Sequence, residues 1–324
     1  MKNITIDSNA AGQRLDKWLC RTFPAVGYGL AQKLLRQNKV RVNGLRAKAE
    51  YRLVEGDVVA LYMDDALLAA APKQSDRFLS GIRPHLRIVY EDEDILIVDK
   101  PVGLLCHPDA NEKVRTLITE IRAYLYQKGE YDSSNPEEFT PALCNRIDRF
   151  TGGLVLAAKT ESAMRSLTGA IREHRVEKRY LCIVFGTPKP SEGQYIDYFV
   201  HPQGSKRVQV VSHAVPNGKK AITQYRTIAA QGALSLLECT LLTGRTHQIR
   251  AQLAFHGHPL LGDGQYGNAK DSARYGMHAQ ALYSHAVALH NPNPDDPLYR
   301  LDGREWRVRS VPFVRQFFPE VEIP

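Results

Sequence analysis

The chain has 324 residues, 43% hydrophobic and 8% aromatic, enough apolar material for a core of one large domain or of a large and a small one, which excludes wholesale disorder. Its longest apolar run, residues 66–71, is too short to cross a bilayer, and the first residues lack the apolar stretch of a signal peptide. Lys and Arg exceed Asp and Glu by 8, and residues 1–62 hold 11 basic against 5 acidic side chains, six of those eight charges.

In chain order, Leu15, Trp18, Leu19 and Thr22 repeat at i, i+3, i+4 and i+7, an amphipathic helix expected from near Gly12 and stopped by Pro24 and Gly27-Tyr28-Gly29. A second helix follows, with Leu30, Leu34 and Leu35 inward and Lys33 and Arg36 outward. Val40-Arg41-Val42 alternates as a short strand into an Asn43-Gly44 hairpin turn, and Glu55-Gly56-Asp57 turns into a strand over residues 58–62. Two helices on a small sheet make a module of residues 1–63. Its stretch from Leu30 to Ala49 carries Lys33, Arg36, Lys39, Arg41, Arg46 and Lys48 with no acid among them. Such a run suits a phosphate backbone, and it also suits a solvated basic face.

Residues 64–84 read as a linker: Ala-rich, then Pro72, a Lys-Gln-Ser-Asp stretch, Gly81 and Pro84. Over residues 85–324, strands are expected at 87–90, 95–98, 154–158, 180–185, 221–228, 234–242 and 282–289. Helices are expected only at about 162–174 and 246–256. Many strands with few interleaved helices imply an α+β fold on a mixed, largely antiparallel sheet. Five cysteines lie far apart with no Cys-x-x-Cys pair, which argues against a disulfide framework and a cysteine zinc site and for a reducing cytoplasm.

Three segments could carry chemistry. In Cys144-Asn145-Arg146-Ile147-Asp148-Arg149-Phe150-Thr151-Gly152-Gly153, two arginines favour the charged form of Asp148, and the glycines permit a tight turn and a close approach. That setting suits a reactive carboxylate; the alternative, which spacing alone favours, is an ordinary turn aspartate in a structural ion pair. Thr243-Gly244-Arg245-Thr246-His247-Gln248-Ile249-Arg250 follows a strand and opens a helix, where N–H groups, Arg245, His247 and Arg250 could converge on an anion. The alternative is a capped helix start with a solvated basic turn. Glu177-Lys178-Arg179-Tyr180 enters a strand, and its Tyr could stack on a nucleobase or simply fill the core. No HExxH, dinucleotide-binding, Walker or nucleophile-elbow pattern is present, so neither metal nor cofactor is expected, and His247, His256, His258, His278 and His285 read as structural.

Together these pieces resemble the RluA family of RNA pseudouridine synthases. Arg146 to Leu154 is similar to its catalytic-Asp motif, Lys178-Arg179-Tyr180 to its Lys-x-Tyr motif, and Gly244 to Arg250 to its Gly-Arg-x-His-Gln-Ile-Arg motif. Asp99-Lys100-Pro101 with Gly103-Leu104, Gly262-Asp263 with Tyr266-Gly267, and His278-Ala279 support the match. Residues 12–62 resemble the S-four-type RNA-binding domain through Arg14-Leu15-Asp16-Lys17 and Arg41-Val42-Asn43-Gly44. Asn145 stands where the family usually has His, and Gly152 where it often has Ser. Gly27-Tyr28-Gly29 replaces the Ser-Arg common in the RNA-binding domain.

The resemblance implies a catalytic domain of pseudouridine synthase type. Its reaction breaks the N1–C1′ bond of uridine, rotates the base and forms a C5–C1′ bond, with no cofactor. Asp148 would be the essential carboxylate, acting as nucleophile or as base for an elimination at the ribose. Arg245 would pair with Asp148 and hold it charged; Tyr180 would stack on the target base. Arg146 would fill the space that a flipped base leaves. Lys178, His247 and Arg250 would support the site or contact RNA, as would Lys33, Arg36, Lys39 and Arg41 in the N-terminal module. The implied substrate is large-subunit ribosomal RNA, with transfer RNA as the other target, bound by a monomer with no membrane partner. A non-catalytic RNA-binding or ribosome-assembly factor would explain the basic N-terminus but leave Asp148, Tyr180 and Arg245 idle. A nucleoside hydrolase using Asp148 would instead release free base.

Overall fold

The computed structural model describes residues 2–7, 10–23, 26–63, 76–135, 138–202, 205 and 207–323. The chain divides into two compact units, Met1–Leu79 and Ser80–Pro324. In the first, strands β1 (Lys2–Thr5), β2 (Val40–Val42), β3 (Leu45–Arg46) and β4 (Val58–Leu61) form an antiparallel sheet in the order β1-β4-β2-β3. Helices α1 (Leu15–Thr22) and α2 (Tyr28–Arg36) complete a core with Leu15, Trp18, Leu19, Leu34, Leu35 and Val59. The first helix begins three residues later than expected, because Gly12 turns the chain at φ +80° and Arg14 is the N-cap, and Thr22 faces solvent. Gly27 caps the second helix and Tyr28 and Gly29 belong to it, so this stretch starts α2 rather than ending α1; Pro24 lies outside the described residues. Asn43 and Gly44 take φ of 50° and 77°, the left-handed pair that a two-residue hairpin of this twist requires. The strand β1 carries no apolar alternation, since most of its side chains face solvent.

Residues 64–75 of the expected linker lie outside the described residues. Asp76–Ser80, placed in that linker by composition, is a short helix.

The second unit is built on eleven strands: β5 (Ile88–Glu91), β6 (Ile95–Lys100), β7 (Ala142–Leu143), β8 (Gly152–Ala158), β9 (Val176–Phe185), β10 (Glu192–Val200), β11 (Gln209–Val211), β12 (Lys219–Gln231), β13 (Leu234–Leu241), β14 (Leu282–Leu289) and β15 (Glu305–Arg307). The sheet runs β11-β10-β12-β13-β9-β14-β8-β6-β5, with β15 beside β14 and β7 beside β8. Among the described residues of these strands, only the β8–β14 pair is parallel. The α+β class, the largely antiparallel sheet and all seven expected strands are present. Three main helices pack on it: α3 (Leu117–Gln127), α4 (Glu161–Arg172) and α5 (Gln248–Phe255). Helix α3 is additional to the two expected, although Leu117, Ile118, Ile121 and Leu125 repeat at helical spacing and Thr116 caps it.

Period-two alternation splits the centre of the sheet between two cores. From β8, Leu154, Leu156 and Ala158 pack with Ala163 and Leu167 of α4, while Val155 and Ala157 pack with Ile118 of α3 and Ile249 of α5. Burial on both faces makes β8 a continuous apolar run and fixes where its N-terminal end, and the loop before it, must lie.

Candidate active site

The loop between β7 and β8 carries Asp148, and its backbone is tied down from several sides. Lys100, at the end of β6, is fully buried and donates from Nζ to the carbonyls of Pro101, Leu104 and Arg149 at 2.8–3.1 Å. Burial pulls this ammonium down to about 8. Cys106 Sγ reaches the carbonyl of Ile147 at 3.4 Å, and Thr151 N–H donates to the carbonyl of Asp148 at 3.1 Å. Asn145 Oδ1 accepts from Leu156 N–H at 2.8 Å, so the residue standing in place of the family's usual His fastens the loop to β8.

The double glycine has a steric origin. Gly152 and Gly153 pair in parallel with Tyr283 and Ser284 of β14. A Cβ on Gly153, at φ +110°, would lie 2.2 Å from the carbonyl oxygen of Ser284, and one on Gly152 would lie 2.3 Å from the Tyr283 ring. Tyr283 thus occupies the room that a side chain at position 152 would need.

Asp148 opens into a cleft of about 380 Å³ that is also lined by Arg146, Lys178, Tyr180, Arg245, His247 and Arg250. Seven residues singled out from three distant segments therefore meet in one place. Arg250, buried on α5, donates from Nη1 to Asp148 Oδ2 at 2.8 Å. Its Nε and Nη2 grip Asp263 at 2.7 and 3.1 Å, and Nη2 also reaches Gln265 Oε1 at 3.1 Å. Burial opposes the Arg250 charge, but the carboxylates of Asp263 and Asp148 outweigh it and push the guanidinium up. Burial likewise pushes Asp263 up, yet Arg250 and the N–H groups of Gln265 and Tyr266 win and hold it below the usual carboxylate range.

The cation beside Asp148 is therefore Arg250, not Arg245. Arg245 lies in the turn before α5, where Gln248 Oε1 accepts from Arg245 N–H at 3.0 Å and from Thr243 Oγ1 at 2.8 Å. That turn sends the exposed Arg245 side chain to the carbonyl of Lys220 at 3.0 Å. Arg250 stands inside the helix, on the side packed towards Asp148. The carboxylate that orients it, Asp263, is a functional position the motif spacing does not single out; its only sequence signal is the Gly262-Asp263 match.

Tyr180, on β9, is 6% exposed, and burial pushes its phenol up to about 12. It therefore keeps its proton at neutral pH and offers a ring wall with a hydroxyl. Burial lowers Lys178 as well. His247 takes φ +57° at the cap of α5, with Nε2 3.8 Å from Asp148 Oδ2. Arg146 is exposed at the mouth. In the other unit, Lys33, Arg36 and Lys39 are exposed and Arg41 lies 5.3 Å over the Tyr62 ring. Among the described residues, no three His, Cys, Asp or Glu side chains are grouped to hold a metal ion, and no helix is long and apolar enough to cross a membrane.

Comparison with known proteins meets this geometry. Residues 94–255 match the RNA pseudouridylate synthase family model and residues 13–59 match the S4 domain. The ribosomal large subunit pseudouridine synthase C of Vibrio vulnificus is 31% identical over 301 residues, 91% of this chain and 90% of the relative. An uncharacterized RNA pseudouridine synthase of Aquifex aeolicus is 35% identical over 263 residues, covering 79% and 77% of the two chains. The solved structure of human RNA pseudouridylate synthase domain containing 4 shares the fold, with a TM-score of 0.57 at 21% identity over 74% of this chain and 94% of that one. A sheet that delivers one carboxylate, its arginine and a buried tyrosine into a single cleft is thus the frame of a known isomerase: this chain belongs to the RNA pseudouridylate synthase family, with an S4 domain near its N-terminus, and converts uridine in RNA to pseudouridine.

Proposed function

We propose that this enzyme acts on uridines of large-subunit ribosomal RNA, with Asp148 as the reacting carboxylate. The observation that carries the site assignment is the Asp148 Oδ2–Arg250 contact, which leaves Oδ1 without a hydrogen-bond partner among the described residues. Attack at C1′ and removal of a ribose proton both need one carboxylate oxygen held and the other free. Tyr180 supplies a ring against which the uracil stacks, and Arg146, exposed at the mouth, is placed to enter the stack that the base vacates. Arg245 is assigned to the RNA backbone near the cleft, together with Lys178. The ribosomal target is supported by the names of relatives from Vibrio vulnificus and Escherichia coli, both ribosomal large subunit pseudouridine synthase C. The cytoplasm suits five cysteines that are all free thiols.

Pseudouridine mapping in a strain lacking this gene tests the target. Loss of one or more sites from large-subunit ribosomal RNA is expected; loss from transfer RNA alone would overturn the ribosomal reading.

The N-terminal unit, with Lys33, Arg36, Lys39 and Arg41, is assigned to affinity rather than chemistry. A chain starting at Ser80 should fold, because that unit has two cores of its own. It should isomerise a short stem-loop at high enzyme concentration. Its binding to structured ribosomal RNA should weaken and become less salt-dependent, by roughly one released counterion per lost phosphate contact. Equal affinity and equal salt slope for the truncated and intact chains would remove the unit from RNA binding.

A further inference from the structure

Tyr266 joins the β10–β11 side of the sheet to the reacting carboxylate. Its hydroxyl oxygen accepts from Val208 N–H at 2.9 Å and lies 3.0 Å from His247 Nδ1. The guanidinium groups of Arg207 and Arg250 sit 5.2 and 5.3 Å from the centre of its ring. On the far side of the imidazole, His247 Nε2 faces Asp148 Oδ2 at 3.8 Å, the same oxygen that Arg250 already holds.

Proton positions follow from this arrangement. Burial raises the Tyr266 phenol, which keeps its hydrogen. A phenol oxygen has two in-plane directions besides its ring bond; the Val208 N–H takes one, so the O–H occupies the other, towards His247 Nδ1. Burial also lowers His247, more strongly than the nearby Asp148 raises it, so at neutral pH the imidazole carries one proton. With Nδ1 accepting, that proton is on Nε2, the nitrogen turned to Asp148.

We propose that Tyr266 is a positioning residue that fixes His247 in its Nε2–H tautomer, and that this N–H closes onto Asp148 Oδ2 as a second donor beside Arg250 when RNA fills the cleft. The proposal rests on Asp148 being the reacting carboxylate. Two donors on one oxygen fix the rotation of the carboxylate and aim Oδ1 at the ribose. Hydrogen bonds of this kind commonly tighten only in the substrate complex, which accounts for 3.8 Å in the free enzyme.

Two measurements test it. In wild-type protein with ¹⁵N-labelled histidine, His247 should show an unprotonated Nδ1 and a protonated Nε2 at neutral pH; the opposite tautomer overturns the proposal without any substitution. Tyr266→Phe keeps the ring beside the two guanidinium groups and removes only the hydroxyl. Its kcat should fall between about tenfold and about a hundredfold, the loss of one hydrogen bond acting on a charged group, with KM for the RNA unchanged and the His247 tautomers mixed. An unchanged kcat, or a loss confined to KM, overturns the assignment. Asp148→Asn in the same assay separates the two layers: activity surviving there removes the premise, whereas an inactive Asp148→Asn beside a fully active Tyr266→Phe removes only the role of Tyr266.

Discussion

Asp148→Asn is expected to lower pseudouridine formation by at least about a thousandfold while leaving RNA affinity and folding nearly unchanged. Asparagine preserves the size of the side chain and an acceptor for Arg250, so the contact at Oδ2 survives in neutral form. The loop itself is held by backbone bonds from Lys100, Cys106 and Thr151, and none of these involves the Asp148 side chain. What disappears is the anionic oxygen facing the cleft. Single-turnover rates on a ribosomal RNA fragment, with binding measured separately, check this. Turnover near the wild-type rate would remove Asp148 from the chemistry, and parallel loss of binding and rate would make it a structural anchor.

Arg250→Met should be nearly as damaging, and in two ways. Asp263 has no exposed surface and relies on this guanidinium, so removing it strands a buried carboxylate, a loss of about 3–5 kcal/mol of stability. The pH dependence has a definite sign. With Arg250 present, the native state holds Asp263 below its ordinary value, stability that is present above the unfolded carboxylate range and lost as pH falls through the lowered value. Without Arg250, burial is opposed only by the N–H groups of Gln265 and Tyr266, so Asp263 titrates higher than in the wild type and acidification through that higher value relieves the penalty. The stability gap between wild type and Arg250→Met should therefore be widest at neutral pH and narrow as the solution is acidified; denaturant unfolding at several pH values measures it. Arg250→Lys should retain more stability but still lose most activity, because an ammonium cannot serve Asp148, both oxygens of Asp263 and Gln265 from one planar fork. A gap that is constant with pH would mean that Asp263 does not depend on Arg250.

The features legible from sequence were local. The Asn43-Gly44 hairpin needs two left-handed residues in a row, which a dipeptide displays by itself. Strand β8 shows as a continuous apolar run because both of its faces are buried, and the double glycine that opens it marks a close approach. Asp148 stands in the loop before β8 and Arg245 and His247 just before α5, places at which a scaffold presents side chains. Lys178 and Tyr180 lie within β9 and Arg250 within α5, and these were legible through the family motifs. Strands β10 and β11 gave no comparable signal, since near the sheet edge most of their residues are partly or fully exposed and the apolar alternation weakens.

Only the tertiary structure decided which arginine meets Asp148. Arg245 and Arg250 lie five residues apart in one motif, and either side chain is long enough to reach a carboxylate. Spacing along the chain carries no information about which of them loses its water. The fold turns Arg245 outward onto the carbonyl of Lys220, where solvent still serves the rest of the guanidinium, and packs Arg250 against the buried Asp263, thirteen residues further on. A desolvated guanidinium must fill its donors from whatever acceptors the packing brings within reach. Asp148, more than a hundred residues away in the chain, is one of them, and the same constraint places Lys100 under the loop and Tyr266 behind His247.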